Sequence, residues 1–276
     1  MCGDVLHKMT GVFQMSASSG GEVRMKLIKY LIISGLLLLA NILVYASPIA
    51  LLQSSRQMML LIVPDVNASQ AALRFFERKA QDQQWDLQPI HSRVFLPAVI
   101  GKSGLAWSST LGEKPDLLPY KKEGDARTPA GVYSVTSVLG LKMVGHPAMP
   151  FMQLDEHTAC VTDPDSKFFN KVIDSSIVSP DWKSALKFSD RTPDFNVALQ
   201  LAYNAENLPG VGSCMFMHQW RSVNTPTEGV SIGVDKDLLV YLAQELRQED
   251  NPVIVILPQS SYSKLQEKWG LPLAPV

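Results

Sequence analysis

Charge is sparse in this chain, and neither sign prevails. Asp, Glu, Lys and Arg make up 18% of the 276 residues and nearly cancel, leaving a formal net charge of −1. No basic block is present, so nothing argues for capture of nucleic acid or another polyanion. Internal repeats and low-complexity tracts are missing too. Cysteine is equally scarce, with only Cys2, Cys160 and Cys214. His157, Cys160, Asp163 and Asp165 invite a metal site, but their spacing matches none of the usual zinc patterns. Asp163-Pro164-Asp165 is turn chemistry instead. Neither a metal nor an organic cofactor is indicated.

What the chain does have is apolar content of 46%, ordinary for a globular protein and enough for a sizeable core. Its length suits one large domain or two small ones. Lys26 and Lys29 precede an apolar run from Tyr30 to about Ala40, and Val44-Tyr45-Ala46 then offers small residues for cleavage before Ser47. Residues 25–46 therefore read as a secretory signal peptide or, because Ile42 to Val44 lengthen the apolar stretch, as an uncleaved membrane anchor. Met25-Lys26 looks like a natural start, which makes residues 1–24 an upstream extension. Either leader places residues 47–276 outside the cytoplasm, in the periplasm or cell envelope. There Cys160 and Cys214 have two fates, a disulfide or two buried thiols packed as small hydrophobes.

Arg56–Val63 reads as a buried strand. Ala68–Trp85 places Ala72, Phe75, Phe76 and Ala80 at helical spacing, and a second strand is expected over Arg93–Ile100. Gly101–Trp107 reads as a turn. Pro129, which cannot donate to a ladder, marks the entry of a strand starting at Val132. Gln153–Asp174 reads as loop-rich. Asp235–Gln248 has Leu238, Leu239, Leu242 and Leu246 on one helical face, with Asp235 and Asp237 at the positive end of the helix dipole. Pro252–Leu257 is a closing buried strand.

Two stretches carry chemistry. Gly210–Val240 (GVGSCMFMHQWRSVNTPTEGVSIGVDKDLLV) reads as a buried strand ending in His218, a polar loop, the turn Thr227-Glu228-Gly229 and a helix. Lys121–Val135 (KKEGDARTPAGVYSV) joins an acidic turn to Thr128-Pro129-Ala130-Gly131. Together they resemble the YkuD-type L,D-transpeptidases, in particular a short-loop branch in which G-S-C-hydrophobic-F-hydrophobic-H leads to T-x-G-C. Cys160-Val161 with Asp163-Pro164 and Ser166, Asp181-Trp182 and Tyr203-Asn204 match the same branch. The resemblance spans roughly residues 54–257. It implies a mainly β (α+β) fold, a curved mixed β-sheet or sandwich with a few packed helices. It also implies acyl transfer from peptidoglycan tetrapeptide stems through a cysteine thiol, to form 3→3 cross-links or attach a protein.

By motif, His218 falls at the base position and Gly229 at the turn glycine whose neighbouring amides hold the oxyanion. Gln219, Trp220, Thr227, Glu228, Tyr203 and Asn204 are candidates for the substrate groove. The nucleophile's place, 12 residues beyond His218, holds Val230. Valine has no nucleophilic atom, and a gapped alignment with an inserted Gly233 ends with the same gap in the chemistry. Cys214, four residues before His218 on one strand, would stand ~13 Å away at ~3.3 Å per residue, far beyond hydrogen-bond reach. Ser231 should point away from the slot, and Thr227 would need a base of its own. The chain is thus expected to be an inactive or impaired enzyme of this descent. The alternatives are a non-catalytic peptidoglycan-binding module, or a change confined to position 230. Apart from the resemblance, a lone histidine between Met217 and Trp220 is more often a hydrogen-bonded core residue.

Overall fold

In a computed structural model of the protein, residues 47–273 are described, apart from 80, 81, 83, 109–113, 115–117 and 192. The upstream extension, the leader at 25–46, Cys2 and Ala80 lie outside the described residues. Among those described, no helix is long and apolar enough to cross a membrane.

Helix α1 (Pro48–Ser54) opens the described chain. Ser47 Oγ caps it through the Ala50 amide at 3.1 Å, and Pro48 occupies the first turn, where no amide is needed. Strand β1 (Gln57–Val63) follows with every residue buried. The segment expected to be helical at 68–85 is instead strand β2 (Gln70–Glu77), antiparallel to β1 with Leu61 opposite Leu73. The correction has a clear cause. Phe75 and Phe76 are adjacent and both 2% exposed, so β2 is buried on both faces. Apolar residues on both faces of a strand mimic i, i+3, i+4 helical spacing.

The remaining strands are β3 (Asp86–Gln88), β4 (Leu96–Val99), β5 (Leu105–Trp107), β6 (Thr128–Gly140), β7 (Phe151–Gln153), β8 (Thr158–Val161), β9 (Val172–Asp174), β10 (Ala185–Lys187), β11 (Val197–Leu201), β12 (Phe216–Gln219), β13 (Ile232–Val234) and β14 (Val253–Pro258). Helices α2 (Lys236–Glu245) and α3 (Gln259–Trp269) complete the set. The main sheet runs β1-β14-β6-β11-β12-β13-β4-β2-β3, and a further pairing of β1 with β2 brings the path back on itself. Two parallel pairs along this path (β1 with β14, β12 with β13) are set among antiparallel ones. The molecule is accordingly a mainly β, α+β protein built on a curved mixed sheet.

Several boundaries differ from expectation. Leu105–Trp107 is not a turn but pairs in parallel with Thr128–Ala130, so β6 starts at Thr128 and Pro129 lies one residue inside it. The segment 153–174 is loop-rich, as expected, but not wholly loop, because the short strands β8 and β9 within it join β10 in a separate three-stranded sheet. Nor does the strand before His218 begin at Gly210. Gly210, Gly212 and Cys214 have φ of 79°, 95° and 59°, which turn the chain before β12 starts at Phe216. Helix α2 keeps the expected face, with Leu238, Leu239 and Leu242 buried. Asp235 is its N-cap, accepting the Asp237 amide at 2.9 Å.

Candidate active site

The turn Thr227–Ser231 is held by Thr128 of the second chemistry-bearing stretch and by the backbone at residues 100–102. Thr128, wholly buried, accepts the Gly101 amide on Oγ1 at 2.9 Å. The same hydroxyl faces the Ser231 carbonyl at 3.1 Å and the Gly229 carbonyl at 3.4 Å, to which it has one proton to give. Thr227 Oγ1 also donates to the Ser231 carbonyl, at 2.8 Å. Backbone bonds from Thr227 to Ile100 and from Lys102 to Thr227 complete the clamp. The Thr-Pro-x-Gly strand and the Thr-x-Gly turn, about a hundred residues apart in sequence, thus form one hydrogen-bonded unit.

Replacing Thr128 by valine keeps the shape and removes the hydroxyl, leaving the buried Gly101 amide without an acceptor. The expected cost is ~1–3 kcal/mol, read as a lower denaturation midpoint with an unchanged denaturant slope.

This turn meets the histidine because β12 and β13 run parallel, with His218 opposite Gly233. His218, Thr227, Glu228, Gly229 and Val230 border one open cavity of about 230 Å³. Lys121, Glu123 and Gly124 border it from the acidic turn, and Thr162 and Leu186 from the small sheet. Gln219 and Trp220 line a smaller neighbouring cavity of about 80 Å³, again with His218, Thr227 and Glu228. Gly212, at φ 95°, packs closely behind two of the lining residues. A Cβ there would sit 3.1 Å from Val230 Cγ1 and 3.5 Å from Lys121 Cε.

Tyr203 and Asn204 do not line this groove. Both are 2% exposed and act as scaffold. Tyr203 donates its hydroxyl to the Val211 carbonyl, and burial, with Asp125 and Glu123 nearby, pushes its pKa far up. Asn204 Nδ2 bonds the Leu208 and Gly212 carbonyls at 2.9 and 2.8 Å, fixing the loop that leads to β12. Asp181 and Trp182 also have packing roles. Asp181 accepts the Ser166 hydroxyl, and Trp182 stands edge-on to Phe168 with centroids 5.7 Å apart.

His218 is half-buried, and its ring stacks on Phe195 at 5.0 Å between centroids. Nδ1 lies 2.9 Å from the Gln219 carbonyl, which can only accept, so Nδ1 carries the proton and Nε2 keeps its lone pair. Burial holds the pKa below the ordinary imidazole value. The Gln219 carbonyl and Asp194 oppose that shift, while Arg191 and Arg221 add to it. The ring is therefore neutral at neutral pH, the form a general base requires.

No described residue supplies the matching thiol. Cys160 and Cys214 form a disulfide with their Cα atoms 5.9 Å apart, so of the two fates left open, pairing is the one adopted. Ser231 borders the cavity, but its Oγ accepts the Phe216 amide at 3.3 Å. Lys121 is 4% exposed and committed to Asp125 at 2.6 Å.

Sequence reasoning missed Phe195 and Arg191, whereas the aromatic-Asn pair Phe169-Asn170 after Ser166 is part of the resemblance, which implied a structural loop beside the groove. Asn170 accepts the Cys214 amide at 2.8 Å and donates to the Tyr203 and Asn204 carbonyls at 2.9 and 2.8 Å. Phe195 and Arg191 reach the site from the connection ahead of β11, and no local pattern distinguishes them from ordinary loop residues. Comparison with known proteins returns no matching family model, curated protein or solved structure.

Proposed function

We propose that this chain is an exported cell-wall protein of L,D-transpeptidase descent that keeps the peptide groove and the histidine but not the acyl-transfer chemistry. The observation that carries the reading is the meeting of His218, the Thr227–Gly229 turn and Val230 around one cavity. Those are the base, turn and nucleophile positions of the motif. The motif's Thr128 also ties the same turn.

Acyl transfer needs a nucleophile that the base can deprotonate. At position 230 there is only hydrocarbon, and the cysteines at 160 and 214 are joined to each other. These two facts favour a non-catalytic module that holds peptidoglycan stem peptides in the groove. A disulfide is also in keeping with export to an oxidising compartment.

Incubating the full chain with tetrapeptide stems and an amine acceptor should give no cross-linked product by mass spectrometry. Cross-linked product would refute the loss of chemistry. Pull-down on purified sacculi should retain the chain, and retention should survive His218→Ala, because binding does not need the base. Failure to bind sacculi would remove the module reading.

A further inference from the structure

A third cavity of about 230 Å³ shares only Trp220 with the two at the histidine. Three connections build its walls. The Trp220 amide bonds the Val234 carbonyl at 2.9 Å, which brings Trp220 to the start of α2. Strand β4 runs antiparallel to β13 with Ala98 opposite Val234, so Pro97 and Leu96 continue past the same helix start. The third wall is the two-residue turn after β3, where Ile90 and Arg93 exchange backbone bonds of 2.9 Å each way. His91 and Ser92 at its tip have φ of 49° and 62°, a left-handed pair that such turns usually give to Asn-Gly. Fully buried Ile90 anchors this turn, and the His91 ring meets Tyr241 of α2 edge-on, with centroids 5.7 Å apart.

The lining divides by chemistry. Ile90, Leu96 and Leu238, all 5% exposed or less, join Pro97 and the half-buried Trp220 in an apolar wall. Arg93, Asp235 and Asp237 are exposed and add both charge signs to the same cavity. Asp235 spends one carboxylate oxygen on the Asp237 amide. Among the described residues, the Arg93 guanidinium, the Asp237 carboxylate and the Trp220 indole N–H have no hydrogen-bond or ion-pair partner.

We propose that this cavity is a binding site for a neutral pyranose sugar. The proposal does not depend on the peptide reading of the groove. A ligand of one charge would be drawn to one group of the lining and repelled by another. A hydroxyl both donates and accepts, so a neutral polyol satisfies the guanidinium, the indole N–H and the carboxylates together. A pyranose meets the apolar requirement as well. Its ring C–H groups form a face that covers an indole, while its hydroxyls project around the ring edge. An apolar wall with a few polar groups is the usual composition of a small-molecule site, and tryptophan combines a large apolar surface with a polar end.

Ligand-observed saturation-transfer NMR on the full chain tests this with two linear β-1,4 trisaccharides, one of N-acetylglucosamine and one of glucose. At least one should bind saturably and receive its strongest transfer on the ring C–H protons of one residue. Binding of the acetamido trimer alone points to an amino-sugar glycan as the source. Binding of both points to pyranoses in general, and either result supports the site. Trp220→Ala should abolish the signal. Asp237→Ala and Arg93→Ala, both on exposed side chains, should each weaken binding about tenfold. Lys236→Ala, exposed beside Asp237 but off the cavity, should bind as wild type does.

Transfer to neither trisaccharide overturns the assignment, as does saturable binding that Trp220→Ala, Asp237→Ala and Arg93→Ala all leave unchanged. Choline is the competing probe, because an indole beside two carboxylates also suits a quaternary ammonium. If choline saturates the site and the trisaccharides do not, the cavity takes a cation and the sugar proposal falls.

Discussion

Val230→Cys is expected to create a reactive thiol: incubation with a carbapenem should yield one covalent adduct by intact mass, where wild type yields none. On the proposed reading, His218 and the Thr227–Gly229 turn already border the same cavity as position 230. The bond between Nδ1 and the Gln219 carbonyl orients the His218 ring and leaves Nε2 as the proton acceptor. A cysteine thiol of ordinary pKa (~8.5) is mostly protonated at neutral pH and needs that base. Adding His218→Ala to the variant should therefore slow adduct formation by ~10²-fold or more. The pH profile carries a further sign. Protonated imidazole cannot accept the thiol's proton, so activity falls as pH drops through the histidine pKa. Burial lowers that pKa, so the acid limb should lie below the ordinary value of ~6.5. Cys214 borders the same cavity, and peptide mapping without reductant would check that the new thiol has not exchanged into its disulfide. A folded variant with its disulfide intact and no adduct would remove position 230 from the nucleophile's role.

The parts of the site legible in the sequence were those fixed by backbone chemistry. Gly229 and Pro129 announced turns and strand entries, and the apolar run before His218 announced a buried strand. Position 230 came from the resemblance, whose motif sets the nucleophile 12 residues beyond the histidine, and it borders the same cavity as His218. What the sequence hid were choices made by tertiary pairing. The segment around Phe75 and Phe76 has an apolar pattern compatible with either a helix or a two-sided strand. Only the β1 partner, unseen in the local window, decides between them. Tyr203-Asn204 looked like groove residues because an exposed aromatic and a buried one share the same letters. Burial at 2% makes them scaffold. The pairing of Cys160 with Cys214 was undecidable for the same reason, since a disulfide needs a distance and the sequence gives none.

That disulfide should be the largest single contributor to stability that can be removed without touching the groove's polar groups. It closes a loop of 54 residues, for which the chain-entropy account gives ~4 kcal/mol. The Cys160→Ser, Cys214→Ser double variant should then melt ~8–16 °C lower, at ~2–4 °C per kcal/mol for a domain of this size. Position reinforces the effect. Cys160 lies on β8 of the small sheet and Cys214 just ahead of β12, so the bond joins the small sheet to the main one amid Phe188, Phe195 and Phe216. Thr162 and Leu186, which wall the cavity, belong to that small sheet or its immediate flank. Loss of the bond should therefore weaken peptide binding as well as lower the melting temperature. Asn170→Ala offers the control. It removes the side chain that accepts the Cys214 amide and donates to the Tyr203 and Asn204 carbonyls, at an expected ~1–3 kcal/mol, yet leaves the covalent bond intact. If weakened binding follows the double serine variant but not Asn170→Ala at matched stability, the bond itself holds the cavity wall in place. If the double variant melts with wild type, the loop-closure account fails for this chain, and the sheet-to-sheet packing must hold the cavity wall without it.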